Sequence, residues 1–347
     1  MKRFRLVALL ALLGVGIGAF FMIQFYRLFL WDNTAFESPE HIVFIDRDDT
    51  IDSLLLQLRP YLKSTQNFKL AAQKKGYTSN LKSGKFRLIQ GMGNNQIINT
   101  LRSDAQVVQV TFNNQERVEN LAGRVATQLE ADSLELLNAF CDSTFLIQKG
   151  FSKESAISYF LPNTYDFYWN VTPITFRNKM WQYYQSFWNE IRQKQAQNIG
   201  LSPQEVSVLA SIVQKETNQK EEYARVAGVY LNRLKRKMKL QADPTVIYAL
   251  KKKRQDFELV IKRVLLKDLK VDSPYNTYKY YGLPPGPITM PDIRVIDAVL
   301  NAEQHKYLYF VVNPSKPGFH LFASTLREHN RNRFKYTQWL NRRKVFR

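Results

Sequence analysis

The chain has 347 residues, 45% hydrophobic and 13% aromatic, enough for at least one substantial core and, at this length, about two domains. Global disorder is excluded, and the formal net charge of +20 at pH 7 predicts attraction to polyanions, whether nucleic acid, acidic lipid headgroups or acidic wall polymers. A single cysteine, Cys141, excludes an intramolecular disulfide and a thiolate metal cluster, and fits either an oxidising or a reducing compartment.

The compartment is read from the N-terminus. Residues 1–5 carry Lys2, Arg3 and Arg5, and an apolar run covers 6–26 with Gln24 as its one strongly polar interruption. About 20 residues rising 1.5 Å each match a bilayer core of about 30 Å. Arg27 is the only Lys or Arg between this run and Arg47, so the positive-inside rule leaves the N-terminus in the cytoplasm. Everything after Trp31 is then extracytoplasmic, and periplasmic if the membrane is an inner one. A cleaved signal peptide has an apolar region of about 7–15 residues before a small-x-small site. The run here is longer and ends in bulky Phe, Tyr, Leu and Trp, which points to an uncleaved anchor.

Residues 27–40, short and polar with Pro39, read as a tether. Residues 41–106 read as a small α+β unit: a strand at 42–45, a helix over 51–62 despite Pro60, a helix over 68–75, a strand at 84–88 and a helix over 95–101. It offers no convergent His, Cys or carboxylate cluster, which suits a binding module. A second domain, 107–347, begins at the apolar strand 107–112. Helices are expected over 117–129, 133–140 and 174–197, with a turn at Leu161-Pro162-Asn163-Thr164-Tyr165.

The most informative stretch starts at Ser202-Pro203-Gln204-Glu205, a capping box with proline at the first helical position. The helix it opens runs to about Thr217. Val206, Leu209, Ala210 and Val213 form its apolar stripe, and Glu216 falls on the margin of that stripe, facing inward. Burial disfavours a charged carboxylate and raises its pKa, the state a general acid needs. An arbitrary glutamate at a helix end is more often a salt-bridged structural residue, so periodicity alone makes a weak site.

Four clusters downstream of Glu216 strengthen it: Asn232-Arg233, Gln241-Ala242-Asp243-Pro244-Thr245, Tyr275-Asn276-Thr277-Tyr278 and the stiff loop Gly282-Leu283-Pro284-Pro285-Gly286-Pro287. Tyrosines offer flat faces with a polar tip, suited to pyranose rings, and glycines let backbone approach a ligand. Each cluster alone is more often ordinary surface packing.

Together these motifs, with Leu209-Ala210-Ser211-Ile212-Val213-Gln214-Lys215-Glu216-Thr217, closely resemble the endolytic murein transglycosylases of the MltG (YceG-like) family. The likeness extends to Tyr307–Val311, to Gly318-Phe319-His320-Leu321-Phe322 with Thr325 and His329, and back to 161–165. The resemblance implies an α+β protein: an N-terminal transmembrane helix, a small LysM-like module near 41–106, and a mixed α/β catalytic domain. It places Glu216 at the catalytic position. It lines the glycan cleft with Asn232, Arg233, Gln241, Asp243, Tyr275, Asn276, Tyr278, Gly282, Pro284, Pro285 and Gly286, while His320 and Phe322 are further candidates for its wall. Gln214 departs from a commonly acidic position, and Ile157-Ser158 from a usual Glu-Gly pair.

The implied reaction is cleavage within peptidoglycan strands between N-acetylmuramic acid and N-acetylglucosamine, giving 1,6-anhydromuramyl ends and terminating nascent strands. Cell-wall synthases are candidate partners. Asp243 as a second carboxylate would instead allow hydrolysis. Two other classes remain open: a non-catalytic wall-binding scaffold, and a nucleic-acid binder suggested by the basic runs 233–239 and 251–254, against which the export signal weighs. His41, His305, His320 and His329 show no metal-ligand spacing, and there is no phosphate-cradling glycine loop or nucleophile elbow, so neither metal nor cofactor is expected.

Overall fold

The computed structural model describes residues 2–342; Met1 and residues 343–347, which the expected segments 1–5 and 107–347 include, lie outside the described residues. Helix α1 (Lys2–Phe25) continues into a π-helical turn, Tyr26–Leu30. Phe4–Leu30 is the one helix among the described residues long and apolar enough to cross a membrane, and none of its most apolar stretch is buried.

The chain divides into two compact units. The first holds residues up to 110 together with 128–131 and 165–172; the second holds 111–127, 132–164 and the chain from 173 on. In the first, β1 (Glu40–Ile45) and β2 (Gly84–Ile89) pair antiparallel, with Val43 opposite Phe86. Between them lie α2 (Ile51–Leu58) and α3 (Thr65–Lys74), each opened by a hydroxyl cap, Thr50 accepting from the Ser53 N–H and Ser64 from that of Asn67. The helix expected through residue 62 ends at Leu58, where Pro60 forces a tight turn, Arg59–Tyr61. Helix α4 (Asn94–Arg102) closes a core of Val43, Ile45, Leu54, Phe68, Phe86 and Ile97. Part of the stretch read as a tether is packed, while residues 37–40 are exposed. Asn33 and Thr34 are buried, and the Asn33 amide donates to the Ser64 carbonyl and the Asn94 side chain (2.9 and 2.7 Å). From the returning segment, Trp169 Nε1 donates to Asp46 (2.8 Å) with its ring against Phe44.

Strands β3 (Val107–Phe112) and β4 (Asn163–Tyr168) form a second two-stranded sheet. The turn expected at 161–165 therefore gives way to strand from Asn163, because pairing with a partner some fifty residues earlier overrides local turn chemistry. Helices α5 (Val118–Ala126), α6 (Ser133–Phe140) and α7 (Ser143–Gln148) follow β3. The helix expected over 174–197 is two, α8 (Pro173–Phe187) and α9 (Glu190–Asn198), since Asn189 caps the second by accepting from the Arg192 N–H at 3.0 Å.

Helix α10 (Pro203–Glu216) is the axis of the second unit, packed by α11 (Tyr223–Lys235), α12 (Asp243–Arg254) and α13 (Ile293–Leu300). Eight consecutive residues, Val206 to Val213, are buried, so the apolar stripe expected from periodicity is a helix buried all round. Ser207 and Ser211 tolerate this by bonding back to the carbonyls of Pro203 and Val208 (3.1 and 2.7 Å). The hairpin of β5 (Tyr309–Val312) and β6 (His320–Ala323) and helix α14 (Leu326–Arg342) complete the unit.

Candidate active site

The capping box forms as expected. Ser202 Oγ accepts from the Glu205 N–H (3.3 Å) and the Glu205 carboxylate accepts from the Ser202 N–H (2.8 Å), which fixes the start of α10 and so the position of its last residue, Glu216. Glu216 is half-buried. Its Oε1 accepts a 2.7 Å hydrogen bond from the Tyr230 hydroxyl on α11. Burial pushes the carboxyl up to about 7, against a smaller opposing pull from the Tyr230 bond; the negative charge of Asp243 adds to the rise and the Arg233 guanidinium offsets part of it. The carbonyl end of α10 disfavours a negative charge there too. A carboxylic acid balanced near neutrality can give a proton and take one back near pH 7.

Tyr230 lies on the Val226, Val229, Tyr230, Arg233 face of α11 and is itself buried, so its ring packs in the core while its hydroxyl bonds the Glu216 carboxylate. Burial and the adjacent carboxylate hold its own ionisation well above the usual phenol range. Arg233 is buried with Nε donating to the Leu308 carbonyl (2.7 Å) and Nη1 to that of Leu240 (2.6 Å), its guanidinium above the Tyr309 ring. It braces two loops with its side chain while its charge reaches the carboxylate. Asn232 does similar work, donating to the carbonyls of His305 and Tyr307 (2.8 and 3.0 Å).

The motifs 241–245 and 275–278 interlock. The Gln241 N–H bonds the Thr277 carbonyl (3.1 Å), the Ala242 N–H the Thr277 hydroxyl (3.0 Å), and the Thr245 and Thr277 hydroxyls lie 2.8 Å apart. Gln241 is exposed with φ +49, a left-handed conformation that costs a non-glycine residue and is held by these bonds. Asp243 is exposed and accepts a 2.6 Å bond from the Tyr278 hydroxyl. Glu216, Tyr230, Arg233, Asp243 and Tyr278 thus share one electrostatic neighbourhood.

Within the 275–278 motif, the first two residues are buried. Tyr275 is buried against Tyr248 (4.7 Å between ring centres). Asn276 is buried, its amide donating to the Leu269 and Val271 carbonyls (2.9 and 2.7 Å) and its oxygen accepting from the Tyr278 N–H (3.0 Å). These bonds shape the loop that presents Tyr278. In the proline loop, Gly282 takes φ +81, Pro284 and Gly286 are buried and Pro285 is exposed. Gly286 lies so close to the Glu154 backbone that no side chain fits. Ser211 accepts from the Ile288 N–H (3.1 Å) and Gln214 from that of Asp292 (2.6 Å), so α10 fixes the loop end by two side-chain bonds that spacing could not reveal.

A further carboxylate, beyond Glu216 and Asp243, was not legible in the sequence. Glu222, buried just before α11, accepts from the His320 N–H (2.9 Å), from His320 Nδ1 (2.8 Å) and from the Thr217 hydroxyl (3.3 Å). Phe310 bridges from this pair to the site, its ring 5.2 Å from His320 and edge-on to Tyr230 at 6.0 Å. Phe322 packs beside it on Tyr307 and Phe310. His329 stacks on Tyr309, and burial lowers its pKa.

A carboxylic acid with its pKa raised to about 7 thus ends a helix of a mixed α/β unit, beside a tyrosine-rich loop and a stiff proline loop. The chain belongs to the YceG-like family, whose model matches residues 43–335. It is 30% identical over 298 residues to an endolytic murein transglycosylase of Bacillus subtilis, covering 81% of this chain and 80% of that one. It is 36% identical over 132 residues to an endolytic murein transglycosylase of Streptococcus pneumoniae, covering 38% of this chain and 23% of that one. The crystal structure of a yceG-like protein from Listeria monocytogenes superposes with a TM-score of 0.56 at 26% identity, over 84% of this chain and 98% of that one.

Proposed function

We propose that this protein is a membrane-anchored endolytic murein transglycosylase in which Glu216 is the single catalytic acid and base. The observation that carries the reading is the Glu216 carboxyl itself, raised to about 7 by burial while one neutral hydroxyl holds it in place. In the protonated form Glu216 gives its proton to the bridging oxygen between N-acetylmuramic acid and N-acetylglucosamine as the C1–O bond breaks. The resulting carboxylate then takes the proton of the muramyl 6-hydroxyl as its oxygen closes onto C1. The acid is regenerated, no water is consumed, and a 1,6-anhydromuramyl end is left. General acid–base help of this kind contributes roughly 10²–10⁴-fold.

Gln241, Asp243, Tyr278 and the exposed edge of the proline loop would meet the glycan. Asn232, Arg233, Tyr275 and Asn276 would hold the surface they stand on, and His320 and Phe322 would form its far wall. The helix Phe4–Leu30 anchors the chain with its N-terminus in the cytoplasm and everything after Trp31 outside. The first unit, two antiparallel strands flanking two helices, fits a LysM-like glycan-binding module. An anchored endolytic enzyme is placed to end nascent strands beside the synthases that extend them.

The test is mass spectrometry of peptidoglycan digested by the full chain in detergent, beside Glu216→Gln. Internal fragments with anhydromuramyl ends from the parent alone are expected. Reducing ends would make Asp243 part of a hydrolytic pair, and no cleavage by either protein would leave a wall-binding scaffold.

A further inference from the structure

Where the apolar helix leaves the expected membrane, the first unit forms a groove of about 940 Å³ with walls of opposite character. One wall is the helix itself, through Phe21 and Phe25, faced across the groove by the exposed Leu70 of α3. The lip carries Arg27, Lys63 and Lys74 against one acid, Asp32, which is spent on Lys63 in a 2.5 Å ion pair. Arg27 and Lys74 are exposed and enter no ion pair among the described residues.

The groove is a built feature. The Asn94 amide donates to the Leu28 carbonyl (2.8 Å), and Gly93 lies so close to the end of the helix that an added Cβ would sit 2.7 Å from the Leu30 oxygen. The helix end is therefore seated on α4 rather than swinging from a linker. The 27 residues of Phe4–Leu30 are about 40 Å long, against about 30 Å of hydrocarbon, so the last turns stand among headgroups. Tyr26 and Trp31, rings 6.3 Å apart, mark the same level.

We propose that this groove binds an anionic phospholipid of the leaflet facing the folded chain, its phosphate on Arg27 and Lys74 and an acyl chain along Phe21 and Phe25. The occupant is dictated by the walls: at that depth, an apolar face continuous with the membrane helix and a lip with two unspent cations match a lipid that joins hydrocarbon to negative charge. A lipid seated there would hold the first unit at a fixed height above the membrane. This rests on the anchoring reading of Phe4–Leu30.

The test uses the full chain in nanodiscs with phosphatidylglycerol or phosphatidylcholine, transferred to detergent and read by native mass spectrometry for retained lipid, beside the double variant Arg27→Gln, Lys74→Gln. Preferential retention of phosphatidylglycerol is expected, with retention falling roughly fivefold for each basic residue removed. Equal retention of the two lipids, or an unchanged preference in the double variant, would overturn the groove proposal. So would loss of the bound lipid on adding millimolar inorganic phosphate, which would make the lip a free-phosphate site. Recovery of the chain only in the detergent-extracted membrane fraction tests the anchor separately. A thermal melt of the double variant matching the parent shows that the folded groove is what was probed.

Discussion

Glu216 and Glu222 stand six residues apart, the first half-buried and the second buried, and their hydrogen-bond partners differ in the respect that decides what a carboxylate can do. Glu222 accepts a backbone N–H, an imidazole and a hydroxyl, so its lone pairs are committed to holding β6 against the start of α11. Glu216 accepts one hydroxyl among the described residues and is left with most of its burial penalty uncompensated. A satisfied buried acid is a structural tie. One with a single hydroxyl partner keeps a raised pKa, and it is this proton that the proposed function puts to use.

Exchange of each for glutamine separates the two roles most sharply. Glu216→Gln should lower cleavage by roughly 10²–10⁴-fold while the fold persists. Glu222→Gln should instead destabilise by about 1–3 kcal/mol, because one acceptor oxygen is lost and the amide NH2 must face either the His320 backbone N–H or the His320 Nδ1 and Thr217 hydroxyl side. Its folded fraction should keep cleavage within about tenfold of the parent. Product release rates and urea unfolding of both variants measure this, and the comparison fails if Glu222→Gln abolishes cleavage without loss of stability.

The same contrast appears in stability against pH. The folded chain holds a proton on Glu216 up to about pH 7, whereas the unfolded chain releases it near 4.5, so the extra stability from this group is full below 4.5 and is lost as pH rises through 7. Glu216→Gln removes that dependence. Relative to the parent, the variant should gain about 1–3 kcal/mol between pH 4.5 and pH 8 in urea unfolding. A difference independent of pH would mean that Glu216 is ionised throughout.

The sequence made Glu216 legible because a capping box fixes the helix register and a short count from it reaches the stripe. It made the second half of the site legible only as clusters. That Asn276 turns inward and Tyr278 outward depends on the Leu269 and Val271 carbonyls, which no periodicity reports. Glu222 was invisible because its partner His320 is 98 residues away. Tyr230 could have been found: a tyrosine among the buried valines of a helix face needs a partner for its hydroxyl, and 14 residues earlier the chain carries an acid that needs a donor. In the fold, the turn that became β4 and the helix that split at Asn189 show the two ways local reading fails, by a distant pairing and by an unnoticed cap.

The smallest effect should come from Tyr230, and its sign is the most telling. The Tyr230 hydroxyl stabilises the carboxylate form of Glu216, so Tyr230→Phe should raise the Glu216 pKa further and move the alkaline fall of the cleavage profile up by about one pH unit. At pH 6, where the acid is already protonated in the parent, the rate should change by less than about tenfold, the loss coming from a carboxyl no longer held in one orientation. At pH 8 the variant should lose less relative to its own maximum than the parent does. A shift of the alkaline limb to lower pH would mean that the hydroxyl favours the protonated acid, and Tyr230 would then belong with the structural ties around Glu222 rather than with the tuning of Glu216.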